Sequence, residues 1–485
     1  MQGMNRKANT LQSVLCFFLQ SSHTPQKVIE TLSRIGISVS VEMINAVVQS
    51  LSAESQSHIQ ELGRSLLACY AYDNFDVNLK SHVPLAEKSV DSLKHLTSGL
   101  LFHLKHGITT GDLKCSNELW WKSLLNSNAD TTSHKPLWRD LLALHPEQAL
   151  TSESHHLTCD DRFNSWMFLT DLCMHGPDYF HQFCAQISDP DMIEEIPLIK
   201  TQLIPAHAMD VNNSTVSGNI RAVLDLFAQG GIYDPNDAAA ASTDTPDITE
   251  HVILVHSDLG TGEHLQAVQL RWSIEATPWD RFQHIIFIPG LFHLKMACAD
   301  GIWRCFIQPL SAREDETCLM RDISLLQLKE TGIFCSKPGF RRMHQVIGHA
   351  GTCQWLDCWR VHVSKKYSGI TSLEAFATTQ PTFDNLKSLA DEIALAYVAD
   401  HTLVGIRRKS HKEQDMQFEN SLLLNRYFLL YEELSYAMNR GDIGRVETCI
   451  VRWIPVLKAL GKHKYATYMT TFLSNVHFVY PEGLR

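Results

Sequence analysis

The sequence predicts an α/β protein with a central mixed, mainly parallel sheet, large helical insertions and helical N- and C-terminal regions. Two short, β-branched apolar runs, His251–Ser257 and His284–Ile288, are typical of buried strands. A helical segment from Glu263 separates them, and a further helical segment starts at Leu291. Strand, helix, strand and helix with short connections indicate a parallel sheet covered by helices.

Length and composition describe an ordinary globular chain. Its 485 residues are 44% hydrophobic and 20% charged, so the chain can bury a large core. The net charge of -11 argues against a protein that coats nucleic acid non-specifically, because such binding needs a basic face. An acidic protein can still carry a local basic groove.

The cysteines and the apolar runs indicate the cellular compartment in which the protein is expected. The 13 cysteines are odd in number and form no Cys-x-x-Cys pair, which favours reduced thiols in a cytoplasmic or nuclear protein. No apolar stretch approaches the roughly 20 residues that a membrane span needs. We therefore expect an intracellular protein with no membrane partner.

Residues 1–68 are predicted to be helical. Thr24-Pro25 begins one helix, and Ser40 caps a second one after the turn at Gly36. This outline fits a degenerate helix-turn-helix, although the second helix, Val41–Leu51, contains no lysine or arginine. A plain helical packing unit is the alternative.

Residues 69–310 are predicted to form the α/β core. The run from Ser65 to Val77 indicates a first strand that ends in Asp73 and Asp76, and Ser98–Lys105 indicates an antiparallel partner. A helical insertion is expected at about 110–195 and a mobile loop at 230–250. Residues 311–485 are predicted to form a helical C-terminal region.

Two aspartates follow predicted strands and are the main candidates for chemistry. Asp73 ends the first strand, and Asp258 ends the strand that begins at His251. If these strands are neighbours in one sheet, the two carboxylates converge, and hard ions such as Mg²⁺ or Mn²⁺ need such oxygen ligands. Bound ions could then activate a water or a 3′-hydroxyl in phosphodiester chemistry. The alternative is that each acid only caps the helix or turn that follows it.

Several segments together resemble one protein family. They are Arg6–Asn9, Thr24–Glu30, Ala71–Asp76, His256–Glu263, Pro289–Met296, Gly441–Glu447 and Gly461–Ala466. In this order they resemble a multicopy family abundant in mushroom-forming fungi and described as a domain of unknown function. The resemblance covers nearly the whole chain.

That family in turn resembles ribonuclease H-like transposases. In such enzymes the first strand supplies one aspartate, the fourth strand a second, and a helix after a helical insertion supplies the third acid. The resemblance implies a ribonuclease H-like sheet in which Asp73 and Asp258 hold Mg²⁺ or Mn²⁺. Their neighbours would be Asp76, Glu263 and His293, although a histidine placed as His293 is more often a core or capping residue.

The third acid has no clear place in this sequence. The family pattern continues beyond Leu484 with a further acidic helical segment, whereas this chain ends at Arg485, so we expect a chain truncated relative to its family. Glu432 and Glu447 are the candidates within the chain. The leading function is metal-dependent cleavage or strand transfer of nucleic acid, with DNA as the partner. The alternative is an inert relic or a domesticated binding or scaffold protein on the same fold.

Overall fold

A computed structural model describes residues 10–22, 24–78, 93–129, 137–144, 157–237, 248–306, 317–326, 338–399, 402–408, 410 and 412–485. The chain divides into two compact units. The first contains Met1–Thr131, Lys200–Ile288 and Pro481–Leu484. The second contains Thr132–Ile199, Pro289–Tyr480 and Arg485.

The first unit is built on one five-stranded sheet. Its strands are β1 (Ala68–Asn78), β2 (Leu93–His103), β3 (Leu203–Pro205), β4 (Ile253–Ser257) and β5 (Ile285–Pro289), in the order β3-β2-β1-β4-β5. Its helices are α1 (Thr10–Ser21), α2 (Gln26–Arg34), α3 (Val41–Arg64), α4 (Ser116–Lys122), α8 (Val216–Gln229) and α9 (Leu259–Arg271).

The sheet is mixed, as predicted, with antiparallel as well as parallel pairs. β2 pairs antiparallel with both β1 and β3, whereas β1 pairs parallel with β4. β1 and β2 are antiparallel because they are consecutive in the chain and lie side by side without a crossover between them. β4 and β5 are neighbours joined through α9, the kind of helical crossover that parallel strands require.

One face of the sheet buries tyrosines from β1 against α8. The ring of Tyr70 meets Phe227 edge to face at 5.1 Å between centroids. The hydroxyl of Tyr72 donates to Oδ1 of Asn219 at 3.0 Å. Because side chains alternate along a strand, the residues between these tyrosines face the opposite side. This alternation places Asp73 on the face opposite α8.

The N-terminal helices match the predicted turn but not the predicted helix length. Ser40 caps α3 by accepting a hydrogen bond from the Met43 backbone N–H at 3.2 Å. The helix then runs for 24 residues, so Val41–Leu51 is only its first half. A role of this segment in reading DNA remains a prediction.

The second unit is helical in its described residues. Its helices are α5 (Trp138–Leu144), α6 (Cys159–His175), α7 (Asp178–His181), α10 (Leu291–Phe306), α11 (Leu319–Leu326), α12 (Phe340–Lys366), α13 (Leu373–Thr378), α14 (Phe383–Tyr397), α15 (Thr402–Arg407), α16 (Met416–Arg440), α17 (Ile443–Ala459) and α18 (His463–Phe478). Fully buried tryptophans from α12 and α17, Trp355, Trp359 and Trp453, lie in its core.

The predicted division of the chain at 68/69 and 310/311 remains a prediction. Of the loop expected at 230–250, residues 238–247 lie outside the described residues. Within the described part of the chain, no helix combines the length and the apolar character that crossing a membrane would require.

Candidate functional site

The parallel pairing of β1 with β4 brings the segments that carry the two predicted aspartates side by side. Tyr70 is paired with Val255 and Ala71 with His256. The hydroxyl of Ser257 donates to the backbone carbonyl of Tyr72 at 2.7 Å, so the two strands stay in contact one position further. Asp73 follows Tyr72 within β1, and Asp258 follows Ser257 directly after β4. Burial and then the charge of Asp258 raise the pKa of Tyr72, so Asp258 lies near this tyrosine.

Asp258 lies where β4 passes into α9. It is the N-cap of α9, and its Oδ1 accepts a hydrogen bond from the Thr261 backbone N–H at 2.8 Å. The expected capping role is therefore present. Within the described residues, its second oxygen, Oδ2, has no hydrogen-bond partner, so the cap uses half of the carboxylate. The side chain is partly buried and can offer that oxygen to a ligand.

Asp73 is exposed, and its place in the strand differs from the prediction. β1 continues to Asn78, and Asp73 is paired with Ser98 of β2. Its Oδ1 accepts a hydrogen bond from the Asn74 backbone N–H at 2.8 Å. The prediction that Asp73 ends the strand was wrong, because the β1–β2 ladder extends beyond the pairing with β4.

Asp76 does not share a face with Asp73, because residues three apart on a strand point to opposite sides. Asp76 instead pairs across the ladder with His95, with 2.7 Å between Oδ1 and Nδ1. Both side chains are about half exposed. Glu263 lies in α9 and is partly buried. The structure thus places the strand of Asp73 beside the strand that leads to Asp258, and it pairs Asp76 with His95.

His256, two residues before Asp258, offers no positive charge to the carboxylates. Burial lowers the pKa of His256 to about 4, so this imidazole is neutral at neutral pH. Its ring lies 5.8 Å from that of Phe102. Among the described residues, neither aspartate forms an ion pair with a lysine or arginine. The two carboxylates are therefore not neutralised by a neighbouring side chain.

Close packing holds α9 against β5. A Cβ on Gly262 would lie 2.5 Å from the ring of Phe287, which is closer than van der Waals contact allows. The hydroxyl of Thr261 is also hydrogen-bonded to that of Ser257, with 3.0 Å between Oγ1 and Oγ. The first turn of α9 is fixed by these contacts, and with it the orientation of Asp258.

The remaining predicted site residues belong to the second unit. His293 is in the first turn of α10 and is partly buried. Glu447 of α17 pairs with His477, with 2.9 Å between Oε2 and Nε2. Glu432 of α16 has a buried Oε1 without a hydrogen-bond partner in the described structure. Burial raises the pKa of Glu432 to about 7, Lys295 opposes this shift, and Asp171 adds to it.

Sequence reasoning missed two further acids of the second unit. Asp171 is 7% exposed, and its Oδ2 has no hydrogen-bond partner among the described residues. Burial raises its pKa, and burial raises that of Asp322 to about 6. The sequence held a usable signal for Asp171, since this acid is the one charged residue in the mostly apolar run from Met167 to Cys173.

The candidate metal ligands, Asp73 and Asp258, would provide only part of the coordination of a divalent ion. The described residues contain no group of three or more histidine, cysteine or acidic side chains with the geometry to hold a metal. Asp73 and Asp258 would supply two carboxylates. Mg²⁺ commonly binds through one or two carboxylates and retains several waters, so two protein ligands are compatible with its chemistry.

Comparisons with known proteins give one match. The model of a family of unknown function (DUF6589) matches residues 132–485. No curated protein matches the chain. No solved structure matches it either.

Proposed function

The chain belongs to the family of unknown function DUF6589, and we propose that it is a mobile-element-derived protein with a ribonuclease H-like sheet that cleaves or transfers phosphodiester bonds in DNA. The proposal includes Mg²⁺ or Mn²⁺ held by Asp73 and Asp258. The fungal and transposase ancestry implied by the sequence resemblance is part of the same proposal.

One observation carries the proposal. The first and fourth strands of the chain, β1 and β4, are parallel neighbours; Asp73 lies in the first, and Asp258 follows the fourth directly. Transposases of the ribonuclease H-like kind use an aspartate from each of these two strands. This chain and those transposases agree in which strands carry the acids, in the parallel direction of these strands and in the use of aspartate. This combined agreement supports phosphodiester chemistry over other metal-dependent reactions.

In this proposal Asp258 and Asp73 hold the divalent ion. Asp258 keeps Oδ1 on the Thr261 N–H, which fixes the carboxylate while Oδ2 stays available to a ligand. Asp73 provides the second negative group from the neighbouring strand. A bound divalent ion would supply activation of the attacking oxygen and stabilisation of the leaving oxygen. The neutral His256 leaves the negative charge of the pair uncompensated, which favours a cation.

A second candidate is an inert relic or a domesticated binding or scaffold protein on the same fold. It is favoured by the observation that each aspartate already has a local role. Asp258 caps α9, and Asp73 accepts a hydrogen bond from the neighbouring Asn74 N–H. The net charge of -11 also favours it, since contact with DNA needs local positive charge.

Calorimetric titration with Mn²⁺ separates the two candidates. The native protein is compared with an Asp73→Asn/Asp258→Asn variant, in which the amide that replaces the second carboxylate can still cap α9. An Asp112→Asn/Asp280→Asn variant is the matched control, because each of these first-unit aspartates accepts a hydrogen bond from a threonine three residues before it. The proposal expects binding in the native protein and the control but not in the first variant. Equal binding in all three, or none in any, would favour the inert protein.

Glu432 and Glu447 are tested as candidates for the third acid in the same way. The ion pair of Glu447 with His477 occupies one of its oxygens, whereas Glu432 keeps Oε1 without a partner among the described residues. Nuclease assays with Glu432→Gln and Glu447→Gln variants test each of them. Loss of cleavage in one variant alone would select that residue as the third acid, whereas native cleavage in both variants would exclude both candidates.

A further inference from the structure

Three aromatic rings form a row at the start of α10 and α12 in the second unit. Phe292, in the first turn of α10, is 56% exposed. Its ring meets that of Phe340 edge to face at 5.1 Å between centroids. The ring of Phe340 in turn stacks on His344 at 5.7 Å with an angle of 11°. We call Phe292, Phe340 and His344 the aromatic row.

The inner end of the aromatic row is anchored in the core. Nδ1 of His344 lies 2.9 Å from the hydroxyl of Tyr431, whose side chain is fully buried. The Lys295 amine lies over the ring of Tyr431 at 5.7 Å. Burial and then the charge of Lys295 lower the pKa of His344, so this ring stacks as a neutral imidazole. The row is thus rigid at one end and open to solvent at the other.

Two arginines lie next to the aromatic row in the chain. Arg341 and Arg342 follow Phe340 directly, and both are exposed. The Arg342 guanidinium donates to the backbone carbonyl of Pro338 at 3.3 Å. Within the described structure Arg341 forms no ion pair. Lys295 adds a third cation, which lies near Glu432.

We propose that the aromatic row with Arg341 and Arg342 binds single-stranded nucleic acid. An unpaired base would stack on the exposed ring of Phe292, while the two guanidinium groups would contact the backbone phosphates. Aromatic side chains beside cationic ones are the usual means of holding single strands, because every base offers a flat π-face and every linkage a negative charge. A second copy of the chain fits this surface poorly, since it would bring arginines against arginines.

This proposal deepens the proposed function and rests on it, because it names the form of nucleic acid that the protein recognises. The recognition itself requires no metal ion. Binding to the surface can therefore be measured in EDTA, where the carboxylate pair plays no part. Failure of the metal site and failure of this surface are then separate results.

The test is fluorescence anisotropy with labelled oligo-dT and oligo-U in EDTA. We expect Phe292→Ala to weaken binding about tenfold, since removal of one stacking ring lowers affinity by ~1–3 kcal/mol. We expect Arg341→Ala/Arg342→Ala to weaken binding and to reduce its salt dependence by about 1.4 in the log–log slope, because each phosphate contact contributes ~0.7 for single strands. The two oligonucleotides show whether DNA or RNA is preferred.

Matched controls come from the same unit. Phe418 is an exposed phenylalanine of α16, 13 residues before Tyr431 and so about 20 Å from it along the helix. Arg360 is an exposed arginine at the opposite end of α12, paired with Asp357 at 2.6 Å. Phe418→Ala and Arg360→Ala should bind as the native protein does, and all variants should keep the native melting temperature.

Several results would overturn the proposal. One is native affinity in Phe292→Ala, and another is the absence of single-strand binding by the native protein. Stronger competition by duplex than by single strands would also exclude base stacking as the mode of recognition. If the native protein binds oligo-dT in EDTA but calorimetry finds no Mn²⁺ binding, this surface stands and the proposed catalytic function fails.

Discussion

Arg445 and Glu433 form an ion pair in the interior of the second unit, with 2.7 Å between Nη1 and Oε1 and each side chain 2% exposed. Asp442 contacts the same guanidinium at 3.3 Å and is completely buried. Asp442 also accepts hydrogen bonds from the backbone N–H groups of Ile193 and Glu194. The family-matching segment 441–447 therefore holds the 191–196 stretch to α16 and α17 of the helical unit.

Removal of the buried cation should destabilise this unit strongly. We expect Arg445→Ala to lower the free energy of unfolding by about 3–5 kcal/mol, because two buried carboxylates would lose this cation: Glu433 would keep only Arg452, and Asp442 only backbone N–H donors. Arg440→Ala is the control, since Arg440 is half exposed and pairs with Asp189 at the surface. Surface pairs contribute about 0–1 kcal/mol. Urea denaturation measures both variants, and equal losses would contradict this account of the network.

Gly441 should tolerate no side chain. Its φ of 75° is unfavourable for other residues, and a Cβ there would lie 2.7 Å from the carbonyl oxygen of Ile196. Gly461 provides a control with a similar φ of 72° but open space around the position. We expect both alanine variants to lose about 1–2 kcal/mol from backbone strain. Gly441→Ala should lose clearly more in urea denaturation, because the 191–196 stretch must also move.

Stability should fall as pH rises through the range in which Glu432 titrates. Burial raises the pKa of Glu432 from 4.5 to about 7, so the folded protein binds more protons than the unfolded chain between these values. The free energy of unfolding therefore decreases with rising pH across this window, by about 3 kcal/mol for this group. Asp322, with a pKa raised to about 6, adds to the same slope.

The Glu432→Gln variant checks that assignment. A neutral glutamine removes the titration of this position, so the unfolding midpoint in urea should depend less on pH between about 5 and 8. At the upper end of that range the variant should be more stable than the native protein. An unchanged slope would mean that Glu432 is solvated in solution and does not titrate as a buried acid.

Gly262 tests the support of the candidate metal site. The contact of a new Cβ with Phe287 should displace α9 and reduce stability by about 1–3 kcal/mol in Gly262→Ala. Because Asp258 caps α9, the affinity for Mn²⁺ should fall as well. Gly260→Ala is the control, since its Cβ would meet the Asp258 carboxylate at an ordinary 3.5 Å. Full Mn²⁺ affinity in Gly262→Ala would show that the position of α9 does not govern the site.

Local patterns identified the strands and helices of the core. The apolar run before Asp258, the cap at this residue and the helix that follows were all predicted from neighbouring residues, and the structure contains β4, α9, β5 and α10 in that order. The antiparallel partner of β1 was also predicted. A mixed sheet was predicted too, whereas the order of its strands was not, because short runs carry little information about which strands lie side by side.

The sequence by itself determined the segments, the two candidate aspartates and membership of a family whose model the chain matches. These follow from periodicity, capping and motif order, which are properties of nearby residues. The tertiary structure decided that β1 and β4 are parallel neighbours, that Asp76 pairs with His95, and that Oε1 of Glu432 is buried. Register, ion pairing and burial join residues far apart in the chain, so only the packed fold can fix them.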